Sequence, residues 1–144
     1  MIYLDSSVVF SLHFRDANTP AALALVAGAA ESLLINSLCE LETVNAFNLR
    51  VFRKEMSAIN RDNAVRDLEA DIRSGVMNLR PLPDAAFVRA KALAHSFTPA
   101  IGVRAADLLH VAAAIELGAA SLYTFDQKQR QTAHAAGLSV NPVP

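Results

Sequence analysis

Four acidic residues have the types and positions to build one reactive site. Each follows a short apolar run or opens an apolar segment, and we refer to them as the four acids: Asp5, Glu42, Asp107 and Asp126. Carboxylates that share a pocket repel one another, so they need a shared proton or a compensating cation. Mg²⁺ and Mn²⁺ suit hard oxygen ligands and commonly bind phosphates as well. Because an ion held in this way can activate water and stabilise displacement at phosphorus, the pattern favours phosphodiester hydrolysis.

Each of the four acids also has a structural explanation. Asp126, with Gln129 three residues later, resembles a helix capping box. Asp107 lies in the first turn of a predicted helix, where the helix dipole favours a carboxylate. Asp5 can initiate a turn after an apolar run. Glu42 is the hardest to explain structurally, since an acid on the apolar side of a helix is costly to desolvate without a cationic partner.

Short strands and helices alternate along the chain around these acids. Strands are predicted at 2–5, 33–35, 76–82 (or an extended link), 119–124 and 138–140, and helices at 6–14, 20–30, 37–55, 60–74, 84–97, 104–118 and 127–136, with a loop at 96–102. This alternation predicts a three-layer α/β/α sandwich around a mostly parallel sheet. Ligands bind at the carboxyl ends of such strands, so the four acids can meet at one edge.

Two glutamates near the start of the helix at 37–55 can be assigned different roles. Ser37 followed by Glu40 fits a capping box, which gives Glu40 a local structural role. Apolar residues recur along one face of this helix, and Glu42 leans inward beside Leu38 and Asn45. The face comprises Leu38, Leu41, Asn45, Leu49 and Phe52. Without a capping role, Glu42 is the better candidate for the reactive site.

Composition narrows the class of protein. The length of 144 residues suits one domain, and a hydrophobic fraction of 53% hints at apolar surface covered by a partner subunit. The single cysteine, Cys39, excludes an internal disulfide, and no Cys/His cluster has zinc-site spacing. The net charge of −1 means that nucleic-acid binding would need a local basic patch. No apolar run is long enough to span a bilayer and no signal peptide begins the chain, so we expect a cytoplasmic protein with no membrane association.

Other carboxylate-based enzymes fit less well. A haloacid-type phosphotransferase needs a second Asp two residues after the first, where this chain has Ser7. Receiver domains need adjacent acids at the end of the first strand, which are missing. A glycosidase would need aromatic platforms, but the chain has no Trp and 6% aromatic residues. Neither standard glycine-rich phosphate loop is present.

The motifs around the four acids resemble those of PIN-domain ribonucleases, most closely the VapC-type toxins of toxin–antitoxin pairs. In chain order they are Tyr3-Leu4-Asp5-Ser6-Ser7, Leu41 to Phe47, Arg104 to Ala114 and Tyr123-Thr124-Phe125-Asp126. The resemblance covers essentially the whole chain and implies a single PIN-like domain at 1–144. Its implied function is metal-dependent hydrolysis of RNA by the toxin of a type II pair.

The resemblance also implies roles for individual residues. The four acids would be the catalytic, metal-binding residues for Mg²⁺ or Mn²⁺, and Ser6, Ser7 and Thr124 would orient ligands or water beside them. Arg104 and Arg53 are candidates for RNA binding. His110, one turn after Asp107, is expected to pack or hydrogen-bond inside the protein rather than to act as a general base.

Partners follow from the same resemblance. VapC-like proteins generally form homodimers and are inhibited by a small antitoxin whose tail covers the acidic pocket, so the expected partners are RNA, a cognate antitoxin and a second copy of the chain. The alternative is a non-catalytic PIN-like module that binds RNA or protein. Retention of all four acids argues against this alternative.

Overall fold

The structure is a computed structural model that describes residues 1–142. These residues form strands connected by helices. The strands are β1 (Ile2–Leu4), β2 (Leu33–Asn36), β3 (Met77–Arg80), β4 (Ser121–Tyr123) and β5 (Ser139–Val140). The helices are α1 (Ser6–His13), α2 (Thr19–Ala27), α3 (Ser37–Phe52), α4 (Ala58–Arg73), α5 (Ala85–Ile101), α6 (Ala105–Glu116) and α7 (Gln127–Ala135). The last two positions of the predicted domain, 143 and 144, lie outside the described residues.

The five described strands form one sheet in the order β3-β2-β1-β4-β5, with every neighbouring pair parallel. Alternate side chains point to opposite faces of a strand. Accordingly, Tyr3 packs with residues of α5, α6 and α7, while Ile2 and Leu4 pack with residues of α1 to α4. A core therefore lies on each face of the sheet, which confirms the predicted three-layer α/β/α sandwich.

The position of β1 explains where a ligand can bind. Strand β1 pairs with β2 on one side and with β4 on the other side. Strand order thus reverses between β1 and β4, and the crevice outside the carboxyl ends of two such strands is the usual binding place in an open α/β sheet. Asp5 directly follows β1, and Thr124 directly follows β4.

Helix α5 differs from its prediction, because residues expected to form a loop continue it. The helix runs through Pro99 to Ile101 and ends where Gly102 adopts a left-handed conformation, with φ of 69°. Phe97 and Ile101 are partly buried against the core formed by α5, α6 and α7. This packing outweighs the one backbone hydrogen bond that proline removes from a helix.

Helix α3 corrects two sequence-based expectations. Its N-cap is Asn36, whose side chain accepts a hydrogen bond from the backbone N–H of Cys39, so the capping box assigned to Ser37 and Glu40 is wrong. Ser37 Oγ instead accepts from the backbone N–H of Leu82. The helix also buries a different face from the predicted apolar stripe. Cys39, Thr43 and Phe47 are buried, whereas Leu41, Leu49 and Phe52 of that stripe are exposed.

No helix among the described residues is both long and apolar enough to cross a membrane.

Candidate active site

The four acids line one pocket outside the carboxyl ends of β1 and β4. This cavity, which we call the acid pocket, is also lined by Ser6, Ser7, Asn45, Arg104 and Ala106. The sequence predicted that the acids would meet at one sheet edge, and the structure brings them together there. Asn45 was not among the predicted site residues, although its position one turn after Glu42 on α3 could have indicated it.

Asp5 is held in place by hydrogen bonds to its side chain. It is the N-cap of α1, and its Oδ1 accepts from the backbone N–H groups of Ser7 and Val8 at 3.0 and 3.3 Å and from Ser7 Oγ at 2.6 Å. Oδ2 accepts from Thr124 Oγ1 at 2.9 Å. Burial nevertheless raises the pKa of Asp5, because these donors and the nearby His110 only partly offset the loss of hydration.

Thr124 connects Asp5 to the strand on the other side of the crevice. Its backbone N–H donates to Asn141 Oδ1 at 2.8 Å, and its hydroxyl accepts from the backbone N–H of Asp126 at 2.9 Å. Ser7 makes a parallel connection, since its Oγ accepts from the backbone N–H of Phe125 at 3.0 Å. The two hydroxyls therefore fix the segment after β4 relative to Asp5, in keeping with the orienting role proposed for them.

Glu42 reaches the acid pocket from α3 and is fixed by two donors from other helices. Its Oε2 accepts from Ser6 Oγ of α1 at 2.8 Å and lies 2.6 Å from Nε2 of His110 on α6. Burial by itself would raise the pKa of Glu42, but the hydrogen bond from His110 and the electrostatic attraction of that ring, together with the hydrogen bond from Ser6 and the charge of Arg104, outweigh it and lower the pKa. His110 is thus a hydrogen-bonding partner for this half-buried glutamate.

His110 belongs to a buried chain of hydrogen bonds that begins at Tyr3. The Tyr3 hydroxyl lies 2.8 Å from Nδ1 of His110, and both side chains are buried. Burial raises the pKa of Tyr3 well above its ordinary value, so the phenol keeps its proton and can donate it to Nδ1. Nε2 faces a carboxylate, which only accepts, so Nε2 carries a proton and donates to Glu42. The expectation that His110 hydrogen-bonds inside the protein is confirmed, whereas the sequence did not reveal Tyr3 as its partner.

Asp107 and Asp126 both lie against one cationic side chain, the guanidinium of Arg104. The Nε atom of Arg104 donates to Asp107 Oδ2 at 3.0 Å, and Nη2 of the same guanidinium lies 3.6 Å from Asp126 Oδ2. Asp126 is also the N-cap of α7, because its Oδ1 accepts from the backbone N–H of Gln129. Its predicted capping role and its place in the pocket therefore coexist. Arg104 itself is 77% exposed.

The donor set of the acid pocket suits a divalent ion that prefers oxygen. Asp5 Oδ2, Glu42 Oε1 and Asp107 Oδ1 keep lone pairs that no hydrogen bond from the described residues fills. No group of three acidic, His or Cys side chains within the described residues is close enough to form a ready metal cage. Mg²⁺ does not need one, since it usually binds one or two carboxylates and keeps several waters. The residues therefore fit such an ion.

The two arginines predicted to bind RNA lie in different places. Arg104 lines the acid pocket, whereas Arg53, near the end of α3, lines a neighbouring cavity together with Arg50. That cavity shares Ser6 and Ser7 with the acid pocket. Its other lining residues come from α1, α3 and the turn before α2, a combination that no local sequence motif indicates.

Comparison with protein families identifies a match over most of the chain. The family model described as PIN domain matches residues 2–135. No curated protein matches the chain in sequence.

In several solved structures with the same fold, the similarity covers almost all of this chain and almost all of the compared chain. Mycobacterium tuberculosis VapC20, described as a sarcin-ricin loop cleaving toxin, has a TM-score of 0.73 at 19% identity, covering 99% of this chain and 100% of its own. FitAcB from Neisseria gonorrhoeae has a TM-score of 0.71 at 18% identity, covering 97% and 96%. VapBC-1 from nontypeable Haemophilus influenzae has a TM-score of 0.65 at 17% identity, covering 98% and 97%. At these identities the likeness concerns the fold.

Proposed function

The chain belongs to the PIN domain family, and from that premise we propose that it is a metal-dependent endoribonuclease of the VapC type, the toxin of a type II toxin–antitoxin pair. The observation that carries the proposal is the convergence of the four acids on one pocket at the strand-order reversal. Four carboxylates in one pocket are unfavourable in a purely structural role, because like charges raise the cost of ionising each other. A site that binds a cation and a phosphate gives them a purpose.

The proposed metal is Mg²⁺ or Mn²⁺, held by the four acids through carboxylate lone pairs that no hydrogen bond fills. When bound there, such an ion supplies water activation and charge stabilisation at phosphorus. The protein's own contribution is positioning. Ser7 and Thr124 fix the carboxylate of Asp5, and Ser6 and His110 fix that of Glu42, so both are oriented before substrate arrives. Arg104, exposed at the pocket mouth, is placed to contact a phosphate of the RNA.

Cleavage of RNA in the presence and absence of a chelator tests this function. The purified protein should cut single-stranded or structured RNA with Mg²⁺ or Mn²⁺ and stop when excess chelator is added. Restoring Mn²⁺ should restore cleavage, which controls for damage by the chelator. Cleavage that continues undiminished in excess chelator would contradict the metal mechanism.

A non-catalytic PIN-like module that binds RNA or protein is the alternative function. It predicts RNA binding that is insensitive to substitution of the acids and no cleavage with either ion. The acid pocket favours catalysis, because four converging carboxylates need a compensating cation, which phosphodiester hydrolysis uses and a binding module does not require. A preparation that binds RNA tightly but never cuts it, over a broad panel of RNAs, would support the module.

We also propose that the protein is a cytoplasmic homodimer inhibited by a cognate antitoxin. Exposed apolar side chains on α3 and α5 support a covered face: Leu41 at 64%, Phe52 at 83%, Phe87 at 51% and Val88 at 67% exposure. A specific dimer would bury at least about 1,000 Å² in total. An antitoxin would block RNA cleavage by covering the acid pocket with a segment that brings a cation to it.

Sedimentation at micromolar concentration tests the dimer and locates its interface. The unmodified protein should sediment as a dimer. Phe52→Asp and Phe87→Asp each place a charge on one of the two exposed apolar helix surfaces, and the substitution that produces a monomer identifies the helix at the interface. A strictly monomeric unmodified protein would refute the dimer and leave the nuclease proposal standing.

A further inference from the structure

A second cavity adjoins the acid pocket and has the opposite charge character. We call it the arginine cleft; it is lined by Ser6, Ser7, Phe10, Ser11, Asp16, Asn18, Ala46, Leu49, Arg50 and Arg53. Ser6 and Ser7 line both cavities, so the two cavities adjoin at these residues. Its volume of about 270 Å³ lies just below the range of roughly 300–1,000 Å³ that is typical of small-molecule sites. This size suits one nucleotide rather than a duplex.

Arg50 is held in a fixed orientation at the wall of the cleft. Its guanidinium lies 5.4 Å from the ring centroid of Phe10 and 5.6 Å from that of Phe14. One of its nitrogens, Nη1, donates to Glu55. Aromatic contacts and an ion pair therefore fix the group while other N–H donors remain. A guanidinium that is ordered beforehand loses little freedom when it binds a planar or forked anion.

Arg53, the C-cap of α3, adds a second positive charge three residues after Arg50. It is exposed and forms no ion pair within the described residues. At another part of the cleft, Asp16 is already engaged, because its carboxylate accepts from Ser11 Oγ and from the backbone N–H of Asn18. A phosphate would be repelled by Asp16 and attracted by the two arginines. The charge distribution thus orients any phosphate-bearing ligand within the cleft.

We propose that the arginine cleft binds the nucleotide next to the scissile phosphate of single-stranded RNA, with its phosphate on Arg50 and Arg53. The inference rests on the proposed ribonuclease function, because it places the cleaved phosphate in the acid pocket. A strand cut there must continue past the shared rim of Ser6 and Ser7, and the cleft is the positively charged path that begins at this rim. Arginine matches phosphate through paired N–H donors, and it also stacks on unpaired bases.

Binding of a fluorescent single-stranded RNA oligonucleotide in excess chelator tests the cleft without cleavage. The double variant Arg50→Ala/Arg53→Ala should bind RNA at least tenfold more weakly than the unmodified protein. The slope of log affinity against log salt should become shallower by about 1.4, since each lost phosphate contact on a single strand contributes about 0.7. The matched control is Arg66→Ala/Lys91→Ala, which removes two exposed positive charges that line neither cavity.

Further variants keep the test valid if the double variant folds poorly. Arg53→Ala alone disturbs no ion pair among the described residues and should still weaken RNA binding and reduce the slope by about 0.7. Arg50→Lys keeps the charge but not the planar fork, so its RNA affinity should lie between those of Arg50→Ala and the unmodified protein. With Mn²⁺ present, the cleft variants should raise KM for RNA cleavage and leave kcat largely unchanged.

The outcomes separate this inference from the proposed function. Suppose that the unmodified protein cleaves RNA, but Arg50→Ala/Arg53→Ala and Arg53→Ala bind RNA as tightly as the control variant does. The cleft proposal would then be wrong, and the proposed ribonuclease function would be unaffected. If no RNA is cut with Mn²⁺, the proposed function fails, while the binding measured in chelator still reports on the cleft. Competition for the cleft by a polyglutamate peptide, without any effect of the variants on RNA, would assign it to an acidic protein segment and overturn the proposal.

Discussion

The four acids divide into two pairs that the fold holds by different means. Asp5 and Glu42 form the inner pair, and each receives hydrogen bonds from Ser, Thr or His side chains of other elements. Asp107 and Asp126 form the outer pair, and both lie against the guanidinium of Arg104. The inner pair is therefore oriented by hydrogen bonds, whereas the outer pair lies against the positive charge of Arg104.

The difference shows how a protein can keep four carboxylates in one pocket. Hydroxyl donors such as Ser6, Ser7 and Thr124 set the direction of a carboxylate but leave its charge available, so the inner pair retains its attraction for an added cation. Only the arginine of the ion pair between Arg104 and Asp107 is exposed, at 77%, and water and salt screen and weaken the pair on that side. Another cation can therefore replace Arg104 beside these carboxylates with little loss of free energy. We therefore expect the inner pair to supply fixed ligands and the outer pair an exchangeable one.

The largest expected effect is that of Glu42→Gln on cleavage. The substitution keeps the size of the side chain but removes its charge, and it should reduce kcat by more than about 100-fold. Outer partners of metal ligands typically contribute about 10–100-fold, and a direct ligand should exceed that. RNA cleavage with Mn²⁺ is the measurement, with circular dichroism to confirm folding.

Glu40→Gln is the matched control, two residues away on the same helix. Glu40 lies in the first turn of α3, so loss of its charge should lower the free energy of unfolding by about 0.3–1 kcal/mol through the helix dipole. Cleavage should be unchanged. Equal losses of activity in the two variants would mean that the glutamates had been assigned the wrong roles.

Asp5→Asn should abolish cleavage yet stabilise the protein at neutral pH in the presence of chelator. Asn keeps an oxygen for the N-cap bonds from Ser7 and Val8 but removes a buried charge. We expect a rise in Tm of about 2–4 °C, the equivalent of roughly 1 kcal/mol in a domain of this size. Asp5→Ala, which loses the cap as well, should be less stable than Asp5→Asn by about 0.5–2 kcal/mol.

The pH dependence of this difference has a defined sign. Because burial raises the pKa of Asp5 in the folded state, the carboxyl contributes no penalty below its unfolded pKa, where it is protonated in both states. The penalty grows as pH rises through the folded pKa. The Tm advantage of Asp5→Asn should therefore vanish in acid and increase towards neutral pH. An advantage that is constant across this range would contradict the assignment of a buried charge to Asp5.

The sequence predicted the positions of the four acids better than their partners. Strand ends and helix starts follow from local patterns, so Asp5 and Glu42 could be placed at one sheet edge. Their partners depend on packing between distant segments. Tyr3 and His110 are 107 residues apart, and nothing local in either segment indicates that they meet. Similarly, spacing identified an apolar stripe on α3 but not that Phe52 would stay exposed.

Arg104→Ala tests the exchangeable cation of the outer pair. Without Arg104, the pocket should bind Mn²⁺ about fivefold more tightly, since a surface charge at about 4 Å is worth about 1 kcal/mol in water. Calorimetric titration with Mn²⁺ in the absence of RNA measures this directly. Cleavage should fall, because the proposed phosphate contact is lost. Arg104→Lys, which keeps the charge, should restore the lower Mn²⁺ affinity, and an unchanged affinity in the alanine variant would show that Arg104 does not compete for the acids.

The smallest effect should come from Tyr3→Phe, which tests how the inner pair is oriented. The change removes the hydroxyl that donates to His110 Nδ1 but keeps the buried ring. Nδ1 of His110 then loses the hydrogen bond that fixes the ring, so the donor to Glu42 is held less well and kcat should fall by up to about tenfold, the lower end for such outer partners. Stability should fall by about 0.5–1.5 kcal/mol for the lost hydrogen bond.

The control is Tyr123→Phe, which changes a partly exposed tyrosine at the end of β4. If both substitutions changed kcat alike while Glu42→Gln still abolished cleavage, Glu42 would be oriented by Ser6 alone and the buried chain from Tyr3 would serve only the core.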